Sequence, residues 1–101
     1  MARDSTRKEK LQTFKVGDFV GVKCDVQRGP FSEERLITIE TVDGAISGFV
    51  NETELRKING DWQVRGKVRS VSNETIEVWI LGSFLTTNGI ANVPRRLAMA
   101  A

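Results

Sequence analysis

The chain of 101 residues contains no histidine, no tyrosine and a single cysteine. Histidine is the commonest general base and the commonest metal ligand, so its absence removes the usual catalytic and metal-binding arrangements, including a Cys–His pair. One cysteine cannot form an intramolecular disulfide, which fits a reducing compartment. Cys24 alternates with Val22 and Val26, so we expect a buried thiol of low reactivity.

Apolar runs of membrane length and glycine-rich phosphate loops are also missing. No apolar run approaches the ~20 residues of a membrane span, and the N-terminus lacks the apolar core of a signal peptide. The acidic pairs Glu33-Glu34 and Glu52/Glu54 lie in polar loops without a third ligand type, so we expect them to be solvated rather than metal-bound. These absences predict a cytoplasmic protein that is not an enzyme, contacts no membrane, and holds no metal or cofactor.

The composition is that of one globular domain, with 40% hydrophobic and 28% charged residues. The net charge of +2 is carried by the N-terminus, where four basic side chains in residues 1–13 face two acidic ones. Only one large apolar residue, Leu11, follows Met1 in this segment, so we expect a flexible charged tail over 1–13 and a neutral folded domain over 14–101. A neutral body lacks the overall positive charge that most phosphate-binding domains carry.

From residue 14 onward, apolar and polar residues alternate with a period of two, which is typical of half-buried strands. Turn signals such as Asp43-Gly44 and Asn88-Gly89 separate the runs, and the latter predicts a final hairpin between its two flanking strands. Short helical turns are expected at 51–55 and 95–98. Seven short strands are predicted, over residues 18–26, 35–42, 45–50, 62–71, 75–81, 84–87 and 90–93. No segment is long enough for a crossover helix, so the fold class is all-β, a single small barrel.

The two halves of this pattern echo one another. Residues 48–55 and 91–97 each end a strand in valine, continue through a turn-forming residue and reach a leucine. Upstream, residues 36–40 echo 75–79. The spacing near 40 residues indicates a duplicated topology.

These motifs resemble small barrels of the Src-homology type. Residues 15–20, KVGDFV, resemble the start of their second strand, and Gly48-Phe49-Val50 with Leu55 resembles their exit through a helical turn. Residues 65–71 with Ile76 and Val78 resemble the KOW variant, and this resemblance implies binding to RNA or to the transcription and translation apparatus. An oligonucleotide/oligosaccharide-binding barrel is the alternative fold.

One group of residues predicts a ligand surface. Arg65, Lys67 and Arg69 alternate with inward valines and so share the outer face of their strand. Pairing across the next turn places Arg69 opposite Glu77 and Lys67 opposite Trp79. An exposed indole between cations is a typical grip for single-stranded nucleic acid, since bases stack on it while the cations pair with phosphates.

The same positions also fit a purely structural arrangement. Lys67 on Trp79 is then an internal cation–π contact, Arg69 with Glu77 a cross-strand salt bridge, and the tail or the terminal turn covers the indole. The second tryptophan, Trp62, is expected in the core.

Two functional hypotheses therefore stand side by side. The first is a monomeric, non-enzymatic binding module for RNA or other single-stranded nucleic acid. The second is a protein-interaction or accessory-subunit domain that docks a partner by strand addition or through the Gly-Pro loop. In that loop Arg28 and Phe31 are candidate anchors, with Phe31 either exposed or closing the mouth of the barrel.

Overall fold

The computed structural model describes residues 13–84 and 88–100 of the chain. Most of the predicted N-terminal tail, residues 1–12, lies outside this range. Two 3₁₀ turns interrupt the strands, the first over Glu52–Glu54 and the second over Arg95–Leu97. The strands are β1 (Phe19–Arg28), β2 (Glu34–Thr41), β3 (Gly44–Asn51), β4 (Leu55–Ile58), β5 (Asp61–Val71), β6 (Thr75–Ile80), β7 (Ser83–Phe84), β8 (Ile90–Pro94) and β9 (Ala98–Ala100).

One antiparallel sheet runs in the order β7-β3-β2-β1-β5-β6-β8, with β4 added to β5 and β9 added to β1. The sheet curls into a half-barrel, which confirms the all-β prediction. At the open side, the amide of Val42 after β2 donates to the carbonyl of Asn92 on β8 across 2.9 Å. No helix in the described part of the chain has the length and apolar character needed to cross a membrane.

The core lies on the concave side of the curled sheet. Successive side chains of a strand point to opposite faces, so every second residue of each strand faces this side. The largest fully buried side chains are Val20, Val22, Ile37, Ile39, Val50, Val64, Val68, Ile76, Val78, Ile80 and Val93. Trp62 packs against this cluster while remaining partly exposed, with the Lys57 ammonium 5.6 Å from its ring centroid. The expectation that Trp62 belongs to the core is therefore met in part.

Two units of the same design make up this sheet. Each has three strands, a 3₁₀ turn and a closing strand: β1, β2, β3 and β4 in the first unit, and β5, β6, β8 and β9 in the second. Their registers match, since Ile37 lies opposite Gly48 in the first unit as Val78 lies opposite Ala91 in the second. The two units therefore form an internal structural repeat, in which Ile37 corresponds to Val78, two residues beyond the Ile76 that the sequence comparison suggested.

The units are joined by exchanging their closing strands. β4 of the first unit pairs with β5, placing Leu55 opposite Val64, and β9 of the second pairs with β1, placing Ala98 opposite Val22. β1 and β5 also pair with each other, with Val22 opposite Val64. This order of pairing is unchanged when the units are exchanged, so most positions of the paired strands in one unit have a counterpart in the other. The closing strands β4 and β9 were not predicted, because four and three residues show little periodicity.

The predicted final hairpin is wrong. β8 pairs with β6, with Ile90 opposite Trp79, while Phe84 pairs with Gly48 on β3. Residues 85–87 of the predicted strand lie outside the described residues. Phe84 fits there because Gly48 has no side chain: a Cβ at this position would lie 2.7 Å from the Ser83 carbonyl oxygen and against the Phe84 ring. The tertiary contact therefore overrides the local turn signal.

Candidate nucleic-acid interface

A row of aromatic and basic side chains crosses the outer face of the sheet. Phe19 on β1 lies opposite Lys67 on β5, and Lys67 lies opposite Trp79 on β6. Residues directly opposite on adjacent strands share a face, so the three side chains stand side by side. Trp79 is 42% exposed and Phe19 is 47% exposed. The predicted register of Lys67 with Trp79 and the outward position of the indole are confirmed.

Phe19 is the member of this row that the sequence did not single out. The Arg65 guanidinium carbon lies 4.2 Å from the Phe19 ring centroid, and the Lys67 ammonium lies 5.8 Å from it. The cations thus stack on Phe19, and among the described residues no cation–π contact reaches Trp79 as the structural alternative had it. The sequence did contain a signal for the outward position of Phe19. Phe19 lies an even number of residues from Gly21, Lys23 and Asp25, so it shares the polar face of β1 with them.

Arg69 does not pair with Glu77 as predicted. A bulge between Val68 and Ser70 places Ser70 opposite Glu77, so Arg69 is the extra residue. On the other edge of β5, the Val68 amide donates to the Asp18 carbonyl and the Gly17 amide donates to the Val68 carbonyl, both at 2.8 Å. Arg69 still lines a shallow cavity with Val16 and Trp79. It lies beside the row rather than within it.

Two connected depressions run along the row. The outer cleft, of about 150 Å³, is lined by Phe19, Glu54, Arg65, Gly66, Lys67, Trp79 and Leu81. The side pocket, of about 380 Å³, continues from Phe19, Glu54 and Arg65 toward Gly21, Gln63 and the first 3₁₀ turn. Both therefore combine apolar walls with cations that reach solvent.

The cations of this surface are free to meet a ligand. Within residues 13–84 and 88–100, Arg65, Lys67 and Arg69 form no salt bridge or hydrogen bond, whereas Arg35 and Glu52 are joined across 3.0 Å. The Glu54 carboxylate, at the wall shared by both depressions, likewise has no partner in the described part of the chain. In the described part of the chain, Arg65, Lys67 and Arg69 thus remain available to an anion, and Glu54 remains available to a hydrogen-bond donor.

Gln63 forms part of the wall of the side pocket and is 3% exposed. Its Nε2 donates to Met99 Sδ across 3.1 Å, while Oε1 has no partner among the described residues. Gly21 on β1 leaves room for this amide, because a Cβ at position 21 would collide with Oε1. The wall of the side pocket is therefore polar at Gln63, where β1 and β5 lie side by side.

The first unit contains the counterpart of the outer cleft. Exchanging the units turns Arg65, Lys67 and Trp79 into Lys23, Asp25 and Thr38, which line a cavity of their own with Cys24, Glu40, Arg96 and Leu97. This first-unit cleft has two carboxylates and no aromatic ring. The two units therefore carry clefts at corresponding positions with different chemistry.

Cys24, at the bottom of the first-unit cleft, has a buried thiol. Burial raises its pKa from 9.0 to about 12, and the negative charge of Asp25 contributes in the same direction. A thiol with this pKa carries almost no thiolate at neutral pH, so it is a poor nucleophile. The predicted burial of Cys24 is confirmed.

The other candidate residues lie far from the row. Arg28 and Phe31 line a separate shallow cavity around the β1–β2 loop. β1 runs over ten residues from Phe19 to Arg28, so these two residues lie about 30 Å apart along the strand at ~3.3 Å per residue. Phe31 is 68% exposed, so it is a free aromatic rather than a lid on the core.

No protein-family model, curated protein or solved structure matches the chain. No group of three histidine, cysteine, aspartate or glutamate side chains in residues 13–84 and 88–100 is placed to hold a metal.

Proposed function

We propose that this protein is a non-enzymatic module that binds single-stranded nucleic acid, RNA in the first place, along the outer cleft. The observation that supports the proposal is the row Phe19–Lys67–Trp79, with Arg65 stacked beside it and an indole that no cation of residues 13–84 and 88–100 covers. Flat apolar rings and unpaired cations on one solvent-exposed surface match a polymer of flat bases and phosphates.

Each partner has a defined part in this binding. A base stacks on Trp79, which contributes ~1–3 kcal/mol by analogy with other single-strand-binding proteins. Lys67, Arg65 and Arg69 pair with the phosphates on either side. Phe19 serves mainly to hold Arg65, since the guanidinium at 4.2 Å occupies one face of that ring.

The order of elements in each unit supports the same assignment. Three strands followed by a 3₁₀ turn and a closing strand fit the Src-homology type of barrel that the sequence motifs resemble, and the KOW-like segment covers β5 and β6, which carry the row. A reducing cytoplasm is our proposed location, because the single cysteine is free and buried.

A salt titration tests the proposal. A fluorescently labelled eleven-residue oligouridine is titrated with the protein at 50 mM and at 200 mM salt, and anisotropy reports the affinity. Three phosphate contacts give a slope of about −2 in log affinity against log salt, so the affinity falls about 20-fold over this range. Absence of binding at 50 mM salt, or a slope near zero, contradicts the proposal.

The duplicated fold supplies a matched control for the cation contacts. Arg65→Ala removes a cation from the outer cleft, and we expect a weaker complex and a slope reduced by about 0.7. Lys23→Ala removes the corresponding cation from the first-unit cleft and should leave both quantities unchanged. Equal effects of the two variants would show that net charge alone drives binding.

A protein partner is the second candidate function, and the exposed Phe31 favours it. An aromatic side chain that is 68% exposed beside Pro30 and Arg28 is a typical anchor for a partner surface. Binding of this kind depends little on salt. Loss of a partner on Phe31→Ser, with full retention on Trp79→Leu, would favour this function over the first.

A further inference from the structure

We propose that Glu54 makes the outer cleft selective for guanine. The inference rests on the proposed function, because it concerns which base occupies the surface formed by Trp79, Phe19 and the cations. Among the described residues, Glu54 is the one carboxylate that lines the outer cleft, and it also lines the side pocket. Its place at the wall common to both depressions puts it beside any base that enters either one.

The backbone at Glu54 is held in place by its own turn. Asn51 caps the first 3₁₀ turn, and its Oδ1 accepts from the Thr53 amide and the Thr53 hydroxyl, each at 2.9 Å. Leu55 then starts β4, which is paired with β5. A backbone held on both sides limits the region that the Glu54 carboxylate can reach, so its oxygens stay at the wall of the cleft.

Among the described residues, the Glu54 carboxylate also has no competing partner. Arg65 and Lys67 line the outer cleft with it, yet neither lies within salt-bridge distance, and no described residue donates a hydrogen bond to it. A carboxylate accepts hydrogen bonds and donates none. Glu54 is therefore half-buried among apolar walls with its acceptor capacity unused inside the described part of the chain.

Hydrogen-bond chemistry then distinguishes the four bases. Two carboxylate oxygens require two adjacent donors, and only the Watson–Crick edge of guanine has them, at N1 and N2. Adenine and cytosine place a ring acceptor beside their amino donor, and uracil places its single donor between two carbonyl oxygens. Each of these three would direct a lone pair at the carboxylate, which costs free energy when no water can intervene.

The aromatic platform and the acceptor occur together in one of the two clefts. Exchange of the units turns Trp79 into Thr38 and Glu54 into Leu97, so the first-unit cleft has neither a platform nor an acceptor at these positions. A base stacked on the indole of the outer cleft meets the Glu54 carboxylate in the same cavity of about 150 Å³. Stacking supplies affinity there, and the carboxylate supplies the choice of base.

The test uses eleven-residue oligouridines whose central position is uridine, guanosine, adenosine or cytidine, measured by anisotropy at 50 mM salt. We expect the guanosine oligomer to bind about tenfold more tightly than the other three, as a bidentate contact to a base commonly gives. Glu54→Gln should reduce this preference to less than about twofold, since an amide places a donor against a guanine donor. The control Glu40→Gln removes a carboxylate from the first-unit cleft and should keep the preference.

A change in the ligand tests the same contact without altering the protein. Inosine in place of guanosine lacks the N2 amino group, so the wild-type protein should bind it several-fold more weakly than guanosine. Failure of every oligomer to bind refutes the proposed function. Three other outcomes refute the assignment of guanine selectivity to Glu54 and leave the proposed function standing. They are binding without a guanosine preference, a preference that Glu54→Gln retains, and equal binding of inosine and guanosine.

Discussion

Replacing Trp79 with leucine is the sharpest test of the outer cleft. Leucine keeps an apolar side chain at the end of the Phe19–Lys67–Trp79 row and removes the flat π face on which a base stacks. The charges of the cleft are untouched, so the salt dependence of binding should stay as it is. Any loss of affinity then reports stacking alone.

The structure sets the size of the expected effect. Trp79 is 42% exposed, and Phe19 has one face occupied by Arg65, so the indole is the platform available in the cleft. Loss of one stacked base costs ~1–3 kcal/mol, or about 5- to 150-fold in affinity. Stability should fall by only about 1 kcal/mol, because roughly half of the indole already lies in water and leucine retains part of the remaining contact.

Anisotropy with labelled oligouridine at 50 mM salt measures the affinity, and urea denaturation followed by circular dichroism measures the free energy of unfolding. Trp62→Leu is the matched control, since Trp62 packs against the core and lies outside the cleft. We expect this control to lose stability and to retain affinity. A Trp79→Leu protein that binds within twofold of the wild type would refute the stacking argument.

Three further predictions concern Gly48, Cys24 and Phe31. Gly48→Ala should lower the free energy of unfolding by ~1–3 kcal/mol, because its Cβ would meet the Phe84 ring and lie 2.7 Å from a backbone oxygen. Gly66→Ala is the control and should change the free energy of unfolding by less than ~1 kcal/mol, since its Cβ would come no closer than 3.4 Å to a neighbour. The folded state keeps the Cys24 proton up to a pKa of about 12 while the unfolded chain releases it near 9.0, so stability should fall between these pH values by at most ~1.4 kcal/mol per unit. Denaturation at pH 8 and pH 10.5 checks this, and Cys24→Ala should lack that component of the decline. Phe31→Ser should leave oligouridine affinity unchanged in the anisotropy assay, and a large loss would mean that the loop belongs to the interface.

Much of the candidate site could be predicted from local pattern. The outward position of Lys67 and Trp79 follows from a period of two and a short turn between β5 and β6, and the structure agrees with both. The predicted pairing of Arg69 with Glu77 was wrong because of the bulge in β5. A bulge depends on the hydrogen bonds that the strand makes along its other edge. Here Val68 is held by Gly17 and Asp18, residues some fifty positions earlier, and no local pattern contains that information.

Glu54 shows the same limit from the other side. As a sequence position it is one of two acidic residues in a polar turn, and solvation was the natural expectation for both. Glu52 does pair with Arg35, while Glu54 lines a cleft whose other walls come from β1, β5 and β6. Only the exchange of closing strands brings that turn beside the aromatic row.

The sequence by itself determined the all-β class and the faces of the long strands, because alternation and turn residues act over a few positions. The tertiary structure alone decided the partner of each strand, the place of Phe84 on Gly48 and the grouping of Phe19, Glu54 and Trp79. Such contacts join residues far apart in the chain, and their free energy comes from mutual burial that neither segment encodes alone.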